Sequence, residues 1–394
     1  MKEFAETKLS DNIYKIYIFR FLSSFWLIVP VLIPYYNSAG LAATQVYLVQ
    51  SVFLAAVFLL EIPSGYLADI IGRKKTMIIG TFFLPSGLLT YYFSSGLSGF
   101  IAAELMIAVA LSFWSGADSA LIYDTLKQLK KQGDYKKIQG RAEMLTRVGD
   151  GLASVAGGLA ALVSLRLPFI INVITSLIML PVLFSVIEPA RKMMKTGVNH
   201  LKQLIDIVVY SMKNDRIRPY IILSGIVNGA GIIGVWAYLL YYGQLGLNTA
   251  YNGIFHAMLG FAGGWGAAVA YRAEKKLGPR ISLAMLALIA LGFCMFGLFK
   301  AYFVIPFAFL NSFIWNMSFP IIMDLLNKQV KSEMRATVIS VSSMARSVVF
   351  VLFSPVFGLI ADKYSLSAAF FSLAALFTVV VSWSLFELVR KREI

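Results

Sequence analysis

Twelve apolar runs succeed one another along the chain, at about 13–36, 46–68, 76–95, 98–125, 142–164, 167–187, 219–242, 249–271, 281–299, 302–326, 336–361 and 365–387. A helical run of roughly 20 apolar residues matches the hydrocarbon thickness of a bilayer. Lipid offers no partner to open backbone N–H and C=O groups, so every run must be α-helical. No polar shell is available as an alternative. The chain is 59% hydrophobic and 14% charged, whereas a soluble domain carries about 25% charged residues. Twelve spans in 394 residues leave about 33 residues for each span and its connection, so the loops are short and no large soluble domain fits.

Lysine and arginine set the orientation. The net charge is +15, which in a soluble protein would point to nucleic acid. With the N-terminus inside, 29 basic residues fall in the cytoplasmic tails and loops. Only Arg166, Lys300 and Lys363 fall outside, and Arg20, Arg147 and Arg346 lie within spans. The basic excess therefore follows the positive-inside rule, and no nucleic-acid partner is expected. Residues 1–12 are polar and lead into the first run without a small-residue cleavage site, so that run is expected to be retained as a span. Cys294 is the single cysteine, which excludes an intramolecular disulfide. His200 and His256 form no metal-ligand cluster, and no cofactor is expected. The expected organisation is an all-α membrane protein of twelve transmembrane helices in two six-helix pseudo-repeats, both termini cytoplasmic, in the cell (inner) membrane. The halves are 1–187 and 218–394. Between them a cytoplasmic linker, 188–217, contains an amphipathic stretch around Leu201–Tyr210. A monomer in a lipid bilayer is the expected assembly.

The halves echo each other. Span four ends in D-S-A-L-I-Y-D-T-L-K-Q (118–128) and span ten in S-F-P-I-I-M-D-L-L-N-K (318–328), each with an acid near its inner end, Asp124 and Asp324. Each is followed by R-A, at Arg141–Ala142 and Arg335–Ala336. Span five holds G-G-L-A-A (157–161) and span eleven F-G-L-I-A-D (357–362). Parallel six-span repeats place a solute site between the halves.

The loop after span two reads G-Y-L-A-D-I-I-G-R-K-K (65–75). It resembles the signature of the major facilitator superfamily, G-x-L-A-D-x-x-G-R-K, at every defined position. The preceding E-I-P-S (61–64) and F-W-S-G-A-D-S-A-L-I-Y-D (113–124) resemble a large, mostly uncharacterised prokaryotic branch of that family. Gly65 and Gly72 suit a tight turn and close helix approach. Asp69 suits a helix N-terminus, and Arg73 can pair with Asp124. The resemblance implies that Gly65, Asp69, Gly72, Arg73, Lys74 and Asp124 form a cytoplasmic latch; a plain positive-inside anchor at Arg73–Lys75 is the alternative. It also implies that spans three, six, nine and twelve are outer supports and that one, four, seven and ten line the cavity. The interiors of those four support spans carry no charge.

Charges inside a membrane are costly, and they are functional or paired. Arg20, Glu61, Glu104, Asp118, Arg147, Asp150 and Arg346 lie in the runs. Glu104 is the first candidate for proton coupling, because loss of solvation disfavours the charged form of a buried carboxylate. Arg20 is its candidate counter-charge, and a purely structural Glu104–Arg20 pair is the bland alternative. Asp118 follows Glu104 by 14 residues, nearly four helical turns, so both are expected to project to similar sides of span four. Arg147 and Asp150 can pair with each other or with span four, as a gate or a structural network. Arg346, near Ser342 and Ser343, can bind an anionic group or hold an acid. His256 reads first as a packed histidine. Two features of drug–proton antiporters in the family are absent. Glu104 stands where an arginine is common in span four, and span five has A-S-V-A-G-G (153–158), with Ser154 in place of proline. Trp26, Trp114, Asn228, Trp236, Tyr238, Asn311, Trp315 and Asn316 are candidate cavity-lining residues, and aromatics beside carboxylates suit amphipathic or cationic solutes.

These features imply a secondary transporter of a small organic solute, working by alternating access and coupled to protons, with efflux favoured over uptake. A nutrient importer or uniporter is the alternative. A membrane-embedded enzyme would need a convergent catalytic set, and the sequence shows none.

Overall fold

A computed structural model describes residues 2–190, 208–330 and 334–390, and the regular elements among them are all helical. In order they are Lys2–Ser23 (α1), Leu32–Ser38 (α2), Ala43–Ile71 (α3), Arg73–Phe93 (α4), Leu97–Trp114 (α5), Ala117–Gln128 (α6), Tyr135–Ala160 (α7), Leu167–Ser185 (α8), Arg218–Gln244 (α9), Thr249–Ala284 (α10), Ala287–Leu298 (α11), Ile305–Lys328 (α12), Arg335–Lys363 (α13) and Leu366–Arg390 (α14). Among the described residues, nine helical segments are long and apolar enough to cross a membrane. The expected first, fifth and ninth runs lie outside those nine. The first is broken between α1 and α2, α7 carries charges along its first half, and α11 has 12 residues. Residues 201–207 of the expected amphipathic stretch lie outside the described residues.

The chain packs into two compact units. One comprises 1–40, 52–197 and 249–257; the other comprises 41–51, 198–248 and 258–394. Each unit therefore includes the first turns of a helix whose remainder belongs to the other: α10 for the first unit, α3 for the second.

In the first unit α4 packs along α5 and α8, and α1 lies against α6, α7 and α8. The break after α1 explains much of this packing. Pro30 and Pro34 cannot donate backbone hydrogen bonds, and residues 24–28 leave helical geometry. Asn172 of α8 repairs the damage: its Oδ1 accepts from the Ile28 amide at 3.2 Å, and its Nδ2 donates to the Phe25 carbonyl. Non-helical backbone at membrane depth is tolerated only when protein groups satisfy it in this way. At the far end of these helices Tyr35, Tyr36, Tyr91, Phe100 and Phe169 form one aromatic cluster.

Glycines of α7 allow neighbouring segments to approach closely. A Cβ on Gly157 would sit 2.0 Å from the Leu27 carbonyl oxygen, and one on Gly149 would sit 2.4 Å from Ser24 Oγ. One on Gly158 would meet the Ala250 carbonyl of α10 at 2.8 Å, while one on Gly151 would meet nothing within 4 Å.

In the second unit α9 is the central helix, flanked by α12, α13 and α14, with α11 against α12 and α14. Its aromatic core joins Tyr238, Phe293, Phe296, Phe357 and Phe370. The F-G-L-I-A-D segment gains a structural role here. Asp362 accepts hydrogen bonds from the Ala43 and Thr44 amides at 2.9 and 2.8 Å and from Thr44 Oγ1 at 2.6 Å, so it caps the N-terminus of α3. Gly358 makes room, since a Cβ there would lie 2.7 Å from Thr44 Cα.

Replacing Gly157 by alanine is expected to lower the thermal stability of the detergent-solubilised protein, with an overpacking cost of about 1–3 kcal/mol. Gly151→Ala on the same helix is expected to be neutral or mildly stabilising. Equal melting temperatures for the two variants would contradict this packing.

Candidate functional site

The first unit holds a cavity of about 370 Å³, within the size range of small-molecule sites. Its wall combines Phe19, Arg20, Ser23 and Ser24 of α1 and the following break with Trp26. Leu111 and Trp114 of α5, Ser115, and Asp118 of α6 add a second side, and Glu143, Thr146, Arg147 and Asp150 of α7 a third. The break after α1 opens this space. Gly149 lets α7 approach the broken segment, which brings four helices to one hollow.

The charges in the cavity are paired in a specific way. Arg20 Nε lies 2.6 Å from Asp118 Oδ2, with the two side chains 15% and 10% exposed. Arg20 Nη2 also donates to Ser119 Oγ at 2.9 Å, and the other Asp118 oxygen accepts the Ser119 amide at 2.5 Å. Removing one partner of such a shielded pair strands a charge, at about 3–5 kcal/mol. Arg147 pairs with Glu143 one turn away at 3.3 Å, and both are largely exposed.

Two expected pairings are therefore corrected. Arg20 is the partner of Asp118, not of Glu104. Arg147 pairs with Glu143, not with Asp150. The first correction has a clear cause in the backbone. Span four is not one helix: it breaks at Ser115–Gly116, where Gly116 takes φ 74°, and restarts as α6. Fourteen residues cover about 21 Å of helical rise, beyond the reach of one guanidinium, and the break resets the helix phase. Glu104 is 4% exposed and turns toward α4, where its carboxylate accepts the Tyr91 hydroxyl at 2.5 Å. Tyr36 in turn lies 2.5 Å from Tyr91 Oη. Glu104 is absent from the cavity wall.

Trp26 and Trp114 do line the cavity, although Trp114 Nε1 is committed to Thr81 Oγ1 of α4 at 3.0 Å. The cavity-lining candidates of the second unit face one another instead. Asn311 donates to Tyr238 Oη at 3.0 Å, Trp315 donates to Asn228 Oδ1 at 3.0 Å, and Asn316 donates back to the Ser312 carbonyl of its own helix. Tyr238, Asn311 and Trp315 border a gap of about 10 Å³, room for about one water. Trp236 is half-buried on α9, and Arg346 is half-buried on α13 with its carbonyl near Gly229.

The loop cluster expected from residues 65–75 forms at the end of α3. Gly72 takes φ 108°, a conformation other residues avoid, and α4 starts immediately after it. Arg73 forms an ion pair with Asp124 of α6 and also donates to the Ala120 carbonyl. Glu188, which sequence reasoning missed, accepts the Arg73 and Lys74 amides at 2.9 and 2.7 Å and thereby caps α4. Lys74 Nζ donates to the Phe184 carbonyl at 2.7 Å. Asp69 is half-buried on the last turn of α3. Gly65 does not serve close approach, since a Cβ there would meet nothing within 4 Å. The acid that echoes Asp124 behaves differently: Asp324 pairs with Lys328 on its own helix at 2.6 Å, and both are about half exposed.

The sequence model of the Major Facilitator Superfamily matches residues 16–354. The chain belongs to the Major Facilitator Superfamily. An uncharacterised MFS-type transporter of Methanocaldococcus jannaschii is 26% identical over 267 residues, covering 64% of this chain and 67% of that protein. The uncharacterised MFS-type transporter YxaM of Bacillus subtilis is 23% identical over 343 residues, 84% of each. Among solved structures, the nucleoside transporter NupG aligns with TM-score 0.76 at 14% identity, over 96% of this chain and 99% of that one. A bacterial homologue of the human lysosomal transporter Spinster, inward-facing and unoccupied, aligns with TM-score 0.74 at 14% identity, over 96% and 97%. At such identities the likeness is one of fold.

Family membership, together with the apolar helices, makes this major facilitator a multi-pass membrane protein of a transporter family, not of an enzyme family. The residues that sequence reasoning missed share one trait. Asn172 and Glu188 are polar residues in or just after the sixth apolar run, where a polar side chain needs a reason.

In this major facilitator, Glu188→Gln is expected to weaken the cap on α4 and cost about 1 kcal/mol. Asp124→Asn, which strands the Arg73 guanidinium, is expected to cost more, about 3 kcal/mol. Thermal unfolding of the purified variants checks the order, and an Asp124→Asn protein as stable as wild type would contradict it.

Proposed function

We propose that this protein is a secondary active transporter that moves a small organic solute by alternating access in exchange for protons, with efflux as its direction. In this reading the twelve apolar runs are twelve spans and both termini lie in the cytoplasm. The 29-to-3 distribution of basic residues supports that topology. The latch reading of the loop cluster is retained: Gly72, Arg73, Lys74 and Asp124, now with Glu188, stabilise one conformation on the cytoplasmic side.

The observation that carries the proposal is the mixed-charge hollow of the first unit, where Arg20 and Asp118 meet beside Asp150 and Trp26. A shielded ion pair on a cavity wall is poor value as a stabilising device. It is well suited to a site whose occupant exchanges contacts with it. The coupling role moves with the geometry, from Glu104 at its tyrosines to the carboxylates on the wall. The nucleosides moved by NupG are not carried over to this chain.

A thermal-shift screen of the purified protein against metabolites and drugs supplies a solute. In proteoliposomes with an imposed pH gradient, Asp118→Asn is expected to slow transport of that solute at least tenfold, the effect of about 1.4 kcal/mol. Glu104→Gln is expected to leave it within about twofold of wild type, since a neutral amide still accepts from Tyr91. Unchanged flux in both Asp118→Asn and Arg20→Gln would refute the assignment of the site.

A further inference from the structure

We propose that Asp362 is an outer latch of the transport cycle: its carboxylate clasps the first turn of α3 while the outer side is closed, and lets go when that side opens. The inference rests on the alternating-access reading above and on its topology, which puts this end of α3 and α13, next to Lys363, outside.

Helix α3 is shared between the compact units. Residues 43–51 pack in the second unit and 52–71 in the first, yet Ala43–Ile71 is one helix. Alternating access moves one repeat against the other as a body. The first unit then carries its length of α3 with it, and the first turns of the same helix must follow. Their contacts with α13 are the ones the cycle makes and breaks.

Those contacts extend over about two turns. At the tip, Asp362 accepts the Ala43 and Thr44 amides at 2.9 and 2.8 Å and the Thr44 hydroxyl at 2.6 Å. Next, Tyr47 lies edge-on to Phe357, with ring centroids 5.2 Å apart. Beyond it the Ser51 and Ser354 hydroxyls meet at 2.8 Å. The two serines are buried, whereas Asp362 is exposed.

A matching crossing in the first unit shows that the packing does not need the carboxylate. Gly40–Leu41 precedes α3 and Gly246–Leu247 precedes α10, and the two glycines take φ 78° and 70°. A Cβ on Gly358 of α13 would lie 2.7 Å from Thr44 Cα, and one on Gly158 of α7 would lie 2.8 Å from the Ala250 carbonyl oxygen. G-L-I-A-D (358–362) echoes G-L-A-A-L (158–162), so Leu162 stands where Asp362 stands. Without a carboxylate there, α7 and α10 still reach backbone contact. At α3 the acid is added to a crossing that glycine already permits.

The chemistry suits a clasp that opens. A capping carboxylate fills helix amides that lack a partner within the helix and faces the positive end of the helix dipole. Asp362 is exposed, so water replaces each bond as it breaks and release strands no buried donor.

A buried thiol reads the opening. Ser51→Cys is placed in a Cys294→Ala background, and a membrane-impermeant maleimide is added outside intact cells. Ser51 is 4% exposed, so the thiol reacts when α3 leaves α13. Asp362→Ala is expected to raise the labelling rate roughly fivefold, the effect of losing a helix N-cap. Asp362→Asn, which keeps one acceptor oxygen, and Thr44→Val, which keeps both amide bonds, are expected to raise it less. These milder variants decide the matter if Asp362→Ala fails to fold. Ser51→Cys combined with Ser354→Cys puts two thiols within disulfide reach. Oxidation of that pair is expected to cut flux of the solute found by the library screen at least tenfold, and a reductant to restore it.

Unchanged labelling in Asp362→Ala, with a lowered melting temperature, would make Asp362 a structural cap and overturn the latch. Full flux through the oxidised pair would overturn it too, while leaving the transporter reading intact. Labelling only after the cells are broken open would overturn the topology, and the outer latch with it. If the screen yields no solute, the transporter reading fails and the labelling rates still judge the latch.

Discussion

A helix that breaks inside a bilayer must find hydrogen-bond partners within the protein, because no water is there to supply them. The break after α1 is the point on which the first unit turns. Asn172 satisfies the Phe25 carbonyl and the Ile28 amide, and the irregular segment then lies against α7, where Gly149 admits the Ser24 hydroxyl and Gly157 the Leu27 carbonyl. The hollow beside the break exists because the chain leaves the helix there. The same break places Arg20, on the last turn of α1, against Asp118. One polar residue on α8 thus underwrites the geometry of the candidate site.

Helix termini are the second recurring device. Glu188 receives the amides that open α4, and Asp362 receives those that open α3. In both cases a carboxylate neutralises the positive end of a helix and fills donors that have no intrahelical partner. Each is joined to a glycine: Gly72 takes the positive φ that starts α4, and Gly358 clears the approach to Thr44. The two units do not use their equivalent acids alike. Asp124 is shielded against Arg73, whereas Asp324 is half-exposed beside Lys328. The acids that echo each other in spans four and ten therefore have different partners.

Much of the fold was legible. Apolar runs of span length favour helices, so most helices could be placed, although the first and fourth runs break inside the run. The loop 65–75 announced Gly72, Arg73 and their partner Asp124, since a glycine before a basic helix start and an acid at a nearby helix end have few other uses. For Glu104 only the expected pairing with Arg20 misled, because span four breaks at Gly116, whose positive φ separates Glu104 from Asp118, the partner of Arg20. Tyr238, Asn311, Asn228 and Trp315 are hydrogen-bonded among themselves, pairings that only the packing of α9 against α12 reveals.

The sequence by itself determined that the chain is helical, that it lives in lipid, which loops carry its positive charge, and to which family it belongs. Those properties follow from composition, run length and one contiguous motif, all of which act locally along the chain. Only the tertiary structure decided which charge meets which. Arg20 with Asp118 and Glu104 with Tyr91 depend on where helices break and cross. Side-chain pairing across a bilayer interior is set by backbone geometry accumulated over tens of residues, and a single glycine can redirect it.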